Sequence, residues 1–97
     1  MSYAHFGGLM FKNKGENGKN NLIGEHIARL RRECIPRMSQ RALAERLQLE
    51  GLDVDKNAIQ RIESGQRFIT DVELRSFCRI FEVSADLLLG LLTEESI

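Results

Sequence analysis

The 97-residue sequence lacks several features that would mark a particular class of protein. No apolar run is long enough to span a membrane. The N-terminal segment has no basic region ahead of an apolar core, so we expect no secretory signal. Fourteen Lys and Arg balance fourteen Asp and Glu, and the net charge of zero argues weakly against a nucleic-acid binder. The length allows one small cytoplasmic domain with a modest core.

Residues that could carry catalysis or bind a metal are also scarce. The two cysteines, Cys34 and Cys78, are far apart on apolar stretches and have no metal-ligand spacing. Reduced thiols are the expectation for a cytoplasmic protein, and a disulfide is the less favoured alternative. His5 and His26 have no carboxylate or nucleophile at a catalytic spacing, and no glycine-rich phosphate loop occurs. We therefore predict no enzyme, no cofactor and no metal.

Alternation of apolar and polar residues is absent as well, so no strand is predicted. Instead, apolar residues recur at helical spacing in five segments. The sequence predicts an all-α fold of five short helices around one core. They run from Leu22 to Glu33, from Gln40 to between Leu47 and Glu50, from Asp55 to Ser64, from Thr70 to Phe81 and from Ala85 to Leu89.

Residues that start and stop helices support these assignments. Ser39, Asp55 and Ser84 are suited to accept a hydrogen bond from the first-turn amides of the second, third and fifth helices. Thr70 and Glu73 have the spacing of a capping box at the start of the fourth helix.

The chain divides into three parts. Residues 1–21 are rich in Lys, Asn and Gly and are expected to be a flexible arm. In the alternative interpretation, the apolar residues of this arm would pack on the domain or on a partner, and its lysines would contact phosphates. Residues 22–90 form the helical domain, and residues 91–97 are a C-terminal tail. Residues 22–70 are mildly basic and the segment from Asp71 onwards is acidic, which would turn the first half towards a polyanion.

The stretch from Asp55 to Gln66, DKNAIQRIESGQ, predicts a helix with an apolar back and a polar front. Ile59 and Ile62 share one face. The opposite face carries side chains of the kinds that contact base edges and phosphates, namely Lys56, Asn57, Gln60 and Arg61. Taken alone, the stretch favours an ordinary amphipathic surface helix with solvated charges.

The order of the five segments resembles the phage-repressor-like helix-turn-helix family, of the Cro/XRE type. The resemblance is carried by IGEHIARLRRE, SQRALAERL, VDKNAIQRIESGQR and TDVELRSFCRIFEVSADLLLG, and it covers about Leu22 to Gly90. It implies a lambda-repressor-like DNA-binding domain. The sequence departs from the family pattern between Leu47 and Asp55, where additional residues lengthen the connection between helices 2 and 3. This puts the docking of helix 3 in doubt.

The resemblance also implies roles for individual residues. Helix 3 would lie in the major groove of DNA. Its Lys56 and Asn57 match base-contacting positions, Arg61 matches a base- or phosphate-contacting position, and Gln60 is a further candidate.

Three more DNA contacts are expected outside the polar face of helix 3. Gln40 matches a residue that contacts a phosphate and braces helix 3, and Arg41 and Arg67 are phosphate candidates by charge and location. Arg31 and Glu63 match an ion pair between helices 1 and 3. We expect this pair to be exposed and therefore worth only ~0–1 kcal/mol.

These observations predict sequence-specific binding of double-stranded DNA by a transcriptional regulator of the repressor type. A homodimer is expected because one such module covers few base pairs. The leucine-rich segment after Ser84 is the first candidate for the dimer surface, and the aromatic arm is the second. The alternative function is a protein-interaction module, such as an antitoxin-like protein, which the zero net charge and the altered connection favour.

Overall fold

The computed structural model describes residues 18–92, which form five helices and no strand. The all-α prediction is therefore confirmed. The helices are α1 (Gly24–Glu33), α2 (Gln40–Leu49), α3 (Lys56–Glu63), α4 (Asp71–Phe81) and α5 (Ala85–Leu88).

The predicted helix starts are confirmed at four of the five helices. The side chains of Ser39, Asp55 and Ser84 each accept a hydrogen bond from a first-turn amide. Thr70 and Glu73 form both bonds of the capping box at α4. These bonds satisfy backbone donors that a helix start leaves without an intrahelical partner.

One core joins the helices. The largest fully buried side chains come from α1, α2, α3, α4, α5 and the connection before α3: Ile27, Leu43, Leu47, Val54, Ile59, Ile62, Phe77 and Leu88. Helix α3 packs against both α1 and α2, while α4 covers α1, α2 and α5. The apolar back of α3 is therefore fixed, and its polar front faces outwards.

The lengthened connection between α2 and α3 is present and well anchored. Gly51 turns the chain at a φ of 90°, a backbone conformation that other residues rarely adopt. Gln48 Nε2 donates to the Val54 carbonyl at 3.0 Å, and the Val54 side chain is buried. On the other side, Glu50 Oε1 accepts from Ser76 Oγ at 3.1 Å. The added residues thus form a closed loop attached to α2 and α4.

The start of α1 differs from the prediction. The helix begins at Gly24 rather than Leu22, because Asn21 Oδ1 accepts from the backbone amides of Ile23 and Gly24 at 3.1 and 2.7 Å. Asn21 Nδ2 donates to the carbonyls of Ile62 and Arg67 at 3.1 and 2.9 Å. One side chain therefore joins the start of α1 to the end of α3.

The residues just before Asn21 also contact the domain, although the sequence assigned them to the arm. The Asn20 amide donates to the Gly65 carbonyl at 2.8 Å, and its side chain donates to the Gln66 carbonyl at 2.9 Å. The prediction that residues 1–17 and 93–97 form a flexible arm and a tail lies outside the described residues.

A second difference concerns the loop between α3 and α4. Its sequence contains two consecutive apolar residues, Phe68 and Ile69, and this predicts that both side chains fold back on the core. Ile69 does so, but the prediction is wrong for Phe68, which is 63% exposed. The loop turns so that only one of two consecutive apolar side chains can point inwards.

Replacing Asn21 with Ala should lower the free energy of unfolding by about 1–3 kcal/mol, because it removes the acceptor for the Ile23 and Gly24 amides and one donor to each of the Ile62 and Arg67 carbonyls. Urea unfolding monitored by circular dichroism measures this change. Asn57→Ala is the matched control, since the Asn57 side chain forms no hydrogen bond within residues 18–92. Equal stability of the two variants would contradict the role given to Asn21.

Candidate nucleic-acid interface

The polar front of α3 is accessible. Four side chains on two successive turns of α3 are exposed. They form no hydrogen bond or ion pair within residues 18–92: Lys56, Asn57, Gln60 and Arg61. Asp55 caps the helix by accepting from the Ala58 amide at 2.8 Å. The helix is thus fixed at its start, and its donors and acceptors are available to a ligand.

A basic cleft lies where the N-terminal ends of α2 and α3 approach each other. Its volume is about 470 Å³, and we define it by its lining residues Arg31, Arg37, Ser39, Gln40, Arg41 and Lys56. No acidic side chain lines it. The first amides of α2 lie beside it, and the positive end of a helix dipole favours an anion.

Arg37 is the cleft residue that the sequence analysis missed. It is exposed in the loop between α1 and α2, two residues before the Ser39 cap. Its position directly before a predicted helix start was the available signal, because side chains there lie near the N-terminal amides. The cleft brings together three predicted DNA contacts, Gln40, Arg41 and Lys56.

Other predicted contacts lie elsewhere. Gln60 lines a second groove of about 730 Å³ between α1 and α3, together with Arg32 and Lys19, and Gln40 lines both this groove and the basic cleft. Asn57 and Arg61 are exposed on the front of α3 outside both depressions. The predicted residues on α3 therefore form one exposed face with a basic cleft at its N-terminal end.

A buried network ties α3 to α1 and α2. Arg31 donates to Glu63 through Nε at 2.7 Å and through Nη2 at 3.0 Å, and both side chains are only 9% exposed. Arg31 Nη1 also donates to the Met38 carbonyl at 3.1 Å. Gln40 Nε2 donates to Glu63 Oε1 at 2.9 Å. The charges are compensated and hydrogen-bonded, as burial requires.

This network bears on two expectations from the sequence, one about the Arg31–Glu63 pair and one about Gln40. The Arg31–Glu63 pair was expected to be exposed and nearly neutral in its effect, which is wrong because the pair is buried. The bracing role expected of Gln40 matches its bond to Glu63. One amide N–H of Gln40 remains available for a further acceptor, since its NH₂ group has two donors. Contact with a phosphate stays a prediction.

Arg67 occupies a different place. It forms two hydrogen bonds with Glu73, from Nη1 to Oε1 at 2.9 Å and from Nη2 to Oε2 at 3.0 Å, and it does not line the basic cleft. Burial alone would raise the pKa of Glu73, but bonds from Arg67 and Thr70 outweigh it and lower that pKa. The same hydrogen bonding raises the pKa of Arg67.

Two further kinds of feature were sought in the described residues, a metal site and a membrane-spanning helix. Within residues 18–92 no cluster of His, Cys, Asp or Glu could hold a metal ion. In the same range no helix is long and apolar enough to cross a membrane. Cys34 and Cys78 form no disulfide, and burial raises the pKa of the Cys78 thiol.

Comparison with protein families places this geometry in a class. A model described as a helix-turn-helix domain matches residues 22–90. The chain therefore belongs to this family of Cro/XRE-type DNA-binding domains. In further comparisons, no curated protein and no solved structure matched the chain.

Removing one member of the buried pair should be costly. Arg31→Met is expected to lower the free energy of unfolding by roughly 3–5 kcal/mol, because Glu63 would be left as an uncompensated buried charge. The double variant Arg31→Met, Glu63→Met should recover most of the loss. Urea unfolding of both variants and of the single Glu63→Met change gives the coupling energy. Additive losses would contradict the pairing.

The Arg67–Glu73 pair should make stability depend on pH. Because the folded pKa of Glu73 is lowered, its contribution is present above the ordinary carboxyl pKa and is lost as the pH falls through the folded value. Glu73→Gln should therefore cost about 1–2 kcal/mol at pH 7, and progressively less as the pH falls below the ordinary carboxyl value and through the folded pKa. Thermal unfolding at several pH values tests this, and a penalty unchanged at acid pH would contradict it.

Proposed function

We propose that this protein binds double-stranded DNA sequence-specifically and acts in the cytoplasm as a transcriptional repressor. The observation that carries the proposal is the exposed polar face of a braced α3 beside a basic cleft. Bound repressors act by occupying a DNA site, which requires neither a cofactor nor catalysis.

In the proposed complex the front of α3 enters the major groove. Asn57 has the amide geometry for a bidentate bond to adenine, and Lys56 and Arg61 have donors for guanine. Each good bidentate pair would discriminate against a wrong base by ~1–3 kcal/mol. Gln60 lies on the same front and completes the set on α3.

The basic cleft would hold one phosphate of the backbone beside α3. Arg37 and Arg41 supply positive charge from the loop and from α2, and Gln40 and the first α2 amides supply further donors. We leave Arg67 outside this contact surface because its guanidinium is already engaged by Glu73. Compared with the site predicted from the sequence, the proposed site omits Arg67 and adds Arg37.

A protein-interaction module remains the competing function. It is favoured by the zero net charge and by the apolar side chain of Leu49, which ends α2 just before the lengthened connection and is 85% exposed. The basic cleft has no acidic lining residue, and this favours DNA over a protein partner.

Selection of DNA from a random duplex library tests the proposal. The full chain is incubated with the library at near-physiological salt, and the retained DNA is sequenced. We expect one enriched motif, with two half-sites if the protein binds as a dimer. Retention without enrichment, lost as salt rises, would contradict sequence-specific binding and support the protein-interaction function.

Arg61→Ala should weaken binding to the selected duplex by about 10- to 100-fold, if its guanidinium contacts a base edge. Arg79→Ala is the matched control, because Arg79 is an exposed arginine on α4 whose only partner within residues 18–92 is Glu50. Fluorescence anisotropy gives both affinities. Similar losses in the two variants would contradict the role of Arg61.

The cleft arginines should act through charge rather than sequence. Arg37→Ala and Arg41→Ala should each reduce the salt dependence of log K by about one unit of slope and weaken all duplexes to a similar degree. Titrations at four salt concentrations with selected and scrambled duplexes measure this. An unchanged slope would place the arginines away from the phosphates.

A further inference from the structure

The groove between α1 and α3, which we call the α1–α3 groove, continues the basic cleft. It has a volume of about 730 Å³, and Gln40 lines both depressions. The cleft lies at Lys56, the first residue of α3, whereas Gln60 and Ser64 in the groove are one and two turns further along. The two depressions therefore form one track that follows the side of α3 for about 12 Å.

Arg32 supplies this groove with a positive charge that no side chain of residues 18–92 engages. It lies in the last turn of α1, is exposed, and forms no hydrogen bond or ion pair in that part of the chain. Its neighbour Arg29, in contrast, donates to Glu33 at 3.3 Å. An arginine without a carboxylate partner keeps its five N–H donors for an anionic ligand.

Two carboxylates also line the groove, and each already has a cationic partner. Glu63 accepts two bonds from Arg31. Glu25 accepts from Lys19 Nζ at 2.7 Å, and this bond lowers the pKa of Glu25. The charge that remains to attract a ligand is therefore positive.

Gln60 joins the groove to the front of α3. Its side chain is exposed, forms no hydrogen bond within residues 18–92, and belongs to both surfaces. Arginine and glutamine side chains are common donors to backbone phosphates. A DNA strand with one phosphate in the basic cleft would place its next phosphates along the track, beside Arg32 and Gln60.

We propose that the α1–α3 groove holds a second backbone phosphate of the DNA strand that occupies the basic cleft, with Arg32 as its cationic contact and Gln60 as a hydrogen-bond donor. The proposal rests on the proposed function and deepens it, because it makes α1 part of the DNA-binding surface. It also gives Gln60 a contact with the phosphate backbone, which carries no direct sequence information, in place of a contact with a base.

Salt titrations with selected and scrambled duplexes test the groove separately from sequence recognition. Arg32→Ala should lower the slope of log K against log salt by about one unit on both duplexes, because one phosphate fewer is neutralised. Arg46→Ala is the matched control, since Arg46 is also an exposed arginine in the last turn of a helix and lines neither depression.

The outcomes separate the groove from the proposed function. A slope for Arg32→Ala equal to that for Arg46→Ala overturns the groove contact, even where a selected motif establishes specific binding. If selection yields no motif but Arg32→Ala still lowers the slope, sequence specificity fails and the groove contact stands. Urea unfolding of both variants checks that a loss of binding is not a loss of folded protein.

A neutral methylphosphonate placed at single positions of the selected duplex locates the phosphate. The wild-type protein should lose roughly 3- to 10-fold in affinity at about 0.15 M salt when either of two neighbouring positions in one strand is neutral. In Arg32→Ala the loss at one of these positions should disappear, and in Arg41→Ala the loss at the other. Full losses at both positions in Arg32→Ala overturn the proposal.

Gln60→Glu tests the second contact with a side chain of nearly the same shape. Its carboxylate would repel a phosphate, so binding of selected and scrambled duplexes should weaken alike, by about tenfold or more. A repeated selection with this variant should return the same motif. A motif changed at one base pair would show that Gln60 contacts a base and would overturn its phosphate role.

Discussion

The position of α3 depends on the buried pair between Arg31 and Glu63. A bidentate ion pair at 9% exposure on both sides costs desolvation, which its hydrogen bonds to Gln40 and the Met38 carbonyl offset. Because these bonds have fixed directions, they set the orientation of α3 as well as holding it in place.

The same network explains how the domain accommodates its long α2–α3 connection. The end of α3 is held through Glu63 to α1 and through Asn21 to the start of α1, so its position does not rely on a tight turn after α2. The added residues are anchored to α2 through Gln48 and to α4 through Glu50. The N-terminal end of α3 therefore stays beside the basic cleft, which Lys56 and Arg41 both line.

Local sequence signals predicted the helices well because each has its own apolar period, and α2 to α5 each have a side-chain cap. The capping box at Thr70 and the caps at Ser39 and Asp55 depend on neighbours three residues away. What the sequence could not supply came from long-range contacts. Asn21 was assigned to a polar arm from its neighbours in the sequence. Two of its four hydrogen-bond partners, Ile62 and Arg67, lie far along the chain, so no local signal indicates them. The exposure of Phe68 depends on how the loop after α3 turns.

Mapping of amide chemical shifts on ¹⁵N-labelled protein tests the central claim most directly, that α3 and the basic cleft are the surface that meets DNA. The selected duplex is added stepwise, and the shifts are assigned to residues. We predict the largest changes from Ser39 to Arg41 and from Lys56 to Arg61, with small changes along α4. Changes concentrated on α4 and α5, with the front of α3 unaffected, would contradict it.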